Sequence, residues 1–522
     1  MARNLIRKTQ TLCPECLRFL TADIFEENGK VFITKTCPDH GEFIDVYYGD
    51  YEMFKKVTQF HHEGKGIANP NTEPKGGCPK DCGLCQAHKS HTCLGNIVVT
   101  NRCDLSCWYC FFYAQKMGYV YDPTQAQIRA MLRTMKSEQP VPANAIQLTG
   151  GEPCLREDIV EIIQIAKEEG YDHVQLNTNG IRFSSDPDFA VRARAAGVNV
   201  IYLSFDGMTP TTNPKNHWEI PRVLDNCRKC GMGIVFVPTV IRGVNDHELG
   251  DIVKFASRNM DPVRAVNFQP VSLVGRISKA ERDKMRITIP DAIINIEEQT
   301  GGEVARNDWY PVPFVAPVTH FAEAMSGRPR YELSTHEMCG MATYVFKEGD
   351  KLIPITRFTD VEGLMKYLDE KANEVQNGKS RLLVSAEMLL KLRSFIDKEN
   401  QPKDLNLANI LYNIFRNKDY RALRVLQHKS IFLGMMHFQD LYNYDIERTK
   451  RCVVHYAQPD GTIVPFCAFN VIPEWYRDRV QRKFSMSIEE WEAENGRKIT
   501  DDMYRRDVAK LEADPLYKKT YG

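Results

Sequence analysis

The residues of this chain that could do chemistry are its cysteines. There are sixteen, and most stand at ligand spacing. Cys103, Cys107 and Cys110 form a C-x3-C-x2-C triplet directly after the apolar run Asn96-Ile97-Val98-Val99-Thr100, which reads as a buried strand. Three thiolates at the mouth of a strand can converge on one small inorganic core. A 4Fe–4S cluster held by three cysteines keeps its fourth iron open for chemistry, and the competing assignment is a structural zinc knot. A second C-x3-C-x2-C set, Cys78, Cys82 and Cys85, follows a polar linker with Gly64, Gly66, Pro70 and Pro74, and Cys93 lies eight residues beyond it. Cys93 can close a four-thiolate site there, suited to a complete 4Fe–4S cluster or to zinc.

Two further groups flank these. Cys13 and Cys16 stand twenty-one residues before Cys37, with His40 three residues after it. Two knuckles joined by alternating, hairpin-like segments describe a rubredoxin-like or zinc-ribbon module, and three thiolates with one imidazole suit zinc or a mononuclear iron. Late in the chain come Cys339, Cys452 and Cys467, the last two separated by a turn at Gln458-Pro459-Asp460-Gly461-Thr462. Cys154, Cys227 and Cys230 read as buried thiols.

The elements that must position these groups follow from periodicity. From about residue 96 to 290, strand-like runs alternate with amphipathic helices near 123–136, 158–169, 189–196 and 219–229. Repeated β-α units call for a parallel sheet with right-handed crossovers. Beyond 290 the pattern changes. Residues 309–318 form an apolar loop broken by prolines. Residues 361–446 read as a mostly helical insertion whose most apolar run is 431–438. The expected divisions are a metal module over 1–60, a cluster segment over 61–95, the β-α core over 96–290 and a C-terminal extension over 291–522.

With its 68 basic and 68 acidic residues in balance, the chain offers no global field for nucleic acid. It shows no apolar secretion segment and no spanning stretch, so the expected setting is the cytoplasm.

Cys103, Cys107, Tyr109 and Cys110 together resemble the signature of the radical S-adenosylmethionine (SAM) superfamily. Thr149-Gly150-Gly151-Glu152-Pro153 resembles its GGEP motif, and the strands 174–180 and 200–207 resemble those that follow it. The resemblance implies a partial (β/α)6 TIM-like barrel with SAM over the C-terminal strand ends. It implies that Cys103, Cys107 and Cys110 hold the SAM cluster and that Tyr109 meets adenine. Gly150, Gly151 and Glu152 would meet the methionine amino group, and Asn177, Asn179, Ser204 and Asp206 the ribose or carboxylate.

The cysteine layout as a whole is similar to an archaeal group containing pterin methyltransferases and tetraether lipid synthases. That resemblance implies three 4Fe–4S clusters, on Cys103/Cys107/Cys110, on Cys78/Cys82/Cys85/Cys93 and on Cys339/Cys452/Cys467. The last would be completed by His336, by His455 or by an open position. One mononuclear iron or zinc would sit on Cys13/Cys16/Cys37/His40. Two reactions are open. The first couples terminal methyl carbons of phytanyl chains of archaeal ether lipids, with 309–318 and 431–438 lining a tunnel and with transient membrane contact. The second is methylation of a pterin ring. The apolar segments favour the lipid, and either reaction needs a low-potential electron donor such as a ferredoxin. An iron–sulfur electron carrier would leave the GGEP-like loop without a role.

Overall fold

The computed structural model describes residues 3–110, 117–274, 279–417, 426 and 428–521. Its N-terminal unit is an antiparallel meander of β1 (Asn4–Leu12), β2 (Phe19–Glu27), β3 (Lys30–Cys37) and β4 (Gly41–Tyr48). Asn28 and Gly29 turn β2 into β3, both at positive φ (53° and 74°). That is what the tight, right-twisting hairpin turn requires. Cys13 follows β1 and Cys37 ends β3, so the meander brings its two knuckles to one end.

The second sheet carries the core. Strands β5 (Leu94–Thr100), β6 (Ala145–Gly150), β7 (His173–Thr178), β8 (Val200–Ser204) and β9 (Gly233–Val237) lie parallel in chain order. Past the two-residue β10 (Thr239–Val240), β11 (Val263–Pro270) pairs parallel with β9. Helices Gln125–Lys136, Ile159–Glu168, Pro187–Ala196, Ile220–Cys230 and Leu249–Arg258 return the chain between strands. Thr124 and Gln127 close a capping box at the first of these. Outward residues of the strands (Ile97, Val99, Ile146, Leu148, Leu176, Ile201, Leu203) are buried against Ile128, Leu132, Ile162 and Ile163. Each such side chain contributes about 1.5–3 kcal/mol. The result is the expected curled partial barrel. Cys154 and Cys227 are buried in this core.

The C-terminal region does more than extend this barrel. After β12 (Tyr310–Pro311), β13 (Gly340–Glu348) and β14 (Lys351–Pro354), strand β15 (Ser430–Met436) pairs parallel with β11. At the other end β16 (Val454–Ala457) pairs parallel with β5, and β17 (Ile463–Pro465) closes a hairpin on it. The apolar run 431–438 is therefore largely a buried strand, where a helical insertion was expected. A short run buried on both faces has no periodicity to separate the two. Residues 418–425 and 427 of that expected insertion lie outside the described residues. The proline-broken stretch 309–318 becomes the edge strand β12, a 3-10 turn Val312–Val315 and the start of helix Ala316–Ser326. Proline at an edge leaves no ladder bond unmade.

The meander is fastened to the C-terminal region by buried charge. Asp445, fully buried, accepts from Arg7 at 2.7 Å, Thr9 at 2.7 Å and the Tyr47 hydroxyl at 2.6 Å. Arg286 bridges Asp45 and Asp440.

Candidate functional site

A cavity of about 260 Å³ opens at the C-terminal ends of the parallel strands. Cys103, Cys107, Tyr109 and Cys110 line it from the loop after β5, and Gly150, Gly151 and Glu152 from the loop after β6. Asn177 and Asn179 come from β7 and its loop, and Ser204 from the end of β8. The two glycines are required by close packing of the first two loops. Gly150 lies at φ +147°, and a Cβ there or on Gly151 would collide with the carbonyl oxygens of Thr100 and Arg102. Those same carbonyls accept the N–H groups of Gly151 and Glu152 at 2.9 and 2.8 Å.

The Glu152 carboxylate is buried and turned inward, accepting from Asn179 N at 2.7 Å, Thr178 Oγ1 at 2.8 Å and Cys154 N at 3.0 Å. It locks the loop after β6 to the end of β7. The Asn179 side chain donates to Asp104 at 2.6 Å, tying the cysteine loop into the same network. Burial and the charge of Glu152 push the Asp104 carboxyl up to about 7. Asp206 stands behind the wall, outside the lining. It accepts from Thr239 N at 2.9 Å and from the Tyr109 hydroxyl at 2.5 Å, and pairs with Lys215 at 2.7 Å. Lys215 does line the cavity. It is one of the site residues that sequence reasoning missed, because a lone lysine in the loop after β8 carries no spacing signal.

The donor set fits a cluster. Burial drives the Cys103 thiol far above its ordinary value and Cys107 up to about 11, so thiolates here need a metal's positive charge to form. The lining deeper in the barrel mixes apolar groups, among them Leu94, Val237, Val271, Met436 and Phe438, with polar ones. Asn96, Gln147, Thr149, Tyr202, Asn267 and Gln269 face inward from successive strands. Gln147 donates to Asn96 at 2.9 Å and Gln175 to Gln147 at 2.6 Å.

Residues 97–256 match the radical SAM superfamily, and residues 5–49 match the N-terminal zinc ribbon domain described as HMPTM. The 7,8-dihydro-6-hydroxymethylpterin dimethyltransferase of Methanocaldococcus jannaschii is 46% identical over 93% of this chain and 97% of its own length. The chain belongs to the radical SAM superfamily, in the family of that dimethyltransferase. GTP 3′,8-cyclases of Clostridium acetobutylicum and Aquifex aeolicus are 28% and 27% identical, over 38% and 42% of this chain and 62% and 66% of theirs.

This radical SAM enzyme thus uses SAM and a 4Fe–4S cluster, and its N-terminal zinc ribbon supplies a further metal site. Cys13, Cys16, Cys37 and His40 bring their ligand atoms within 4.8 Å of one another. Cys16 and Cys37 sulfurs are 3.9 Å apart, and His40 Nδ1 lies 3.7 and 3.5 Å from Cys13 and Cys37. A tetrahedron with metal–sulfur bonds of about 2.3 Å has edges of about 3.8 Å. The donors fit zinc without rearrangement.

Cys78, Cys82 and Cys85 share a small pocket with His88 and Lys450. Cys93, expected to complete them, is placed elsewhere. Its backbone opens β5 against Val453, and its thiol donates to the Glu332 carbonyl at 3.0 Å. Cys452 adjoins the pocket through its backbone: its carbonyl contacts His88 at 2.9 Å, while its thiol donates to the Val454 carbonyl at 3.0 Å. The Cys82 thiol is held up by Cys78, by burial and by the charges of Cys85 and Cys452. Cys339, Cys452 and Cys467 come together from three separate segments, each of the last two pushed up by burial and then by a partner in the trio. Arg448 donates to the Cys339 sulfur at 3.4 Å. His455 spends both ring nitrogens on Thr92 (2.7 Å) and His88 (3.1 Å). His336 Nδ1 accepts from Met338 N. His437, whose backbone bonds Cys339, instead carries a buried Nε2 without a hydrogen-bond partner among the described residues.

The lipid-coupling expectation is corrected by these findings. The relative covering nearly the whole chain carries a pterin dimethyltransferase name. The expected tunnel is also not formed by its segments. None of residues 309–318 lines the cavity, and from 431–438 only Met436 and Phe438 do. Trp309 is fully buried in the core. No helix among the described residues is long and apolar enough to cross a membrane.

Proposed function

We propose that this chain is a radical SAM methyltransferase that acts on a pterin. The observation that carries the reading is the 46% identity, over almost the full length of both chains, to a protein named for that reaction. The cavity chemistry supports it. A pterin is planar and rich in donors and acceptors, and it needs a compact pocket of complementary polar groups. The carboxamides of Asn96, Gln147, Asn267 and Gln269, with the Tyr202 hydroxyl, offer them below the cysteine loop.

When bound, SAM and its cluster supply a 5′-deoxyadenosyl radical. Cys103, Cys107 and Cys110 would hold the cluster, and the loop at Gly150 and Gly151 would bring backbone close to the methionine end of SAM. Asn177, Asn179 and Ser204 would face the ribose and carboxylate. Lys215, kept cationic by Asp206, would pair with a carboxylate. Abstraction would be confined to the carbon that the strand-end wall positions beside the radical. A low-potential donor such as a ferredoxin would reduce the cluster. Cys78, Cys82 and Cys85, and separately Cys339, Cys452 and Cys467, would hold auxiliary iron–sulfur chemistry beside it.

The test is isotope transfer. Anaerobically reconstituted protein receives SAM, dithionite and 7,8-dihydro-6-hydroxymethylpterin deuterated at its saturated carbons. Pterin-stimulated deoxyadenosine carrying deuterium is expected. Deoxyadenosine that is neither stimulated nor labelled, at pterin concentrations shown to bind, overturns the reading.

A further inference from the structure

One group of ligand-type side chains lies apart from the cavity and the cysteine sites. His62 belongs to the linker after the zinc ribbon, His320 to helix Ala316–Ser326 and Glu332 to the segment that follows. Their ligand atoms all lie within 4.8 Å of one another. We propose that His62, His320 and Glu332 form a binding site for one divalent first-row cation of the zinc class, which fastens the linker to the C-terminal region.

His62 Nε2 and His320 Nε2 stand 3.0 and 3.1 Å from the same atom, Glu332 Oε1. The buried His62 Nε2 nevertheless makes no well-aligned hydrogen bond among the described residues. A ring nitrogen close to a carboxylate oxygen but out of hydrogen-bond alignment is placed to share a third body with that oxygen. The second observation is on the far side of His320, where Nδ1 meets Asp369 Oδ1 at 3.0 Å. A carboxylate on the distal nitrogen fixes the tautomer that leaves Nε2 as a lone-pair donor, the usual support of a metal-bound histidine.

The surroundings suit a cation. Glu332 is 2% exposed, and its N–H donates to His91 Nε2 at 3.1 Å. Lys65 stands 3.8 Å from Glu332 but is engaged by Glu323 at 2.8 Å. Two imidazoles and one carboxylate, with a fourth position for water, match a zinc-type site. The alternative is an imidazolium bridging Glu332 and Asp369, which binds no metal.

The two readings part in a metal analysis of the full-length protein. Wild-type protein and the His62→Gln variant are incubated anaerobically with Zn2+, dialysed and analysed for metal. The variant is expected to hold one zinc fewer per chain while the ribbon zinc stays. Equal zinc in both overturns the proposal. Asp369→Asn is expected to weaken this zinc about 10- to 100-fold. A measurement on unmutated protein guards against misfolding. Zinc should protect His62 and His320 from diethyl pyrocarbonate in peptide mapping, and modification that is equal with and without zinc also overturns the site.

Discussion

Lys215 Nζ lies 2.7 Å from Asp206 Oδ2, both nearly buried, and the Tyr109 hydroxyl reaches the same carboxylate at 2.5 Å. Burial favours the neutral amine of Lys215, but the Asp206 carboxylate overrides it and keeps the ammonium. Asp206 thereby presents two cavity residues without lining the cavity itself. Asp206→Asn should weaken SAM binding roughly ten- to a hundredfold, the worth of one hydrogen bond to a charged group. Equilibrium binding measures it, and the iron content should not change. Lys215→Met should have the same sign, since it removes the charge that Asp206 holds in place.

The loop after β6 tolerates no side chain at its first glycine. Gly150→Ala places a Cβ against the Thr100 carbonyl at a φ of +147°. Strain of this kind costs about 1–3 kcal/mol. The expected outcome is loss of deoxyadenosine formation with a lowered melting temperature. Full activity of the variant would mean that the loop can move away from β5.

Glu138 sets a pH window. Burial pushes its carboxyl up to about 7, although Thr92 donates to it twice, at 3.0 and 2.5 Å. The folded pKa is raised, so the contribution is full below the unfolded pKa of about 4.3. It is lost as pH rises through about 7. Melting temperature should therefore decline across that range, with a slope of at most about 1.4 kcal/mol per pH unit from this group. Glu138→Gln should flatten the decline, and an unchanged profile would assign it to other groups.

The placement of Cys93 predicts a clear split between two cysteines of the same sequence cluster. Cys93→Ser should retain all iron after anaerobic reconstitution, because Cys93 lies outside the pocket lined by Cys78, Cys82 and Cys85, with its thiol toward Glu332. Cys85→Ala should lose about four irons, one cluster. Equal losses from both variants would restore Cys93 as a ligand.

Much of this protein is determined by its sequence alone. Knuckle spacing at Cys13, Cys16, Cys37 and His40, the triplet at Cys103 and the glycines at 150 and 151 are local signals. Each is a short motif whose residue types and order can be read along the chain, although the close approach that requires the two glycines comes from Thr100 and Arg102. The alternating strands and helices from 96 to 290 are legible for the same reason.

Tertiary structure decided whatever depends on which segments meet. Residues 431–438 look like helical core until β11 pairs with them as β15, and β16 reaches β5 across more than 350 residues. That closure brings Cys452 toward Cys339 and Cys467 and leaves Cys93 facing Glu332. It also gathers carboxamides from successive strands into one cavity whose wall they share with apolar groups such as Met436 and Phe438. Sequence proximity ranks ligands by chain distance. The fold ranks them by strand register, and at Cys93 and Lys215 the two orders disagree.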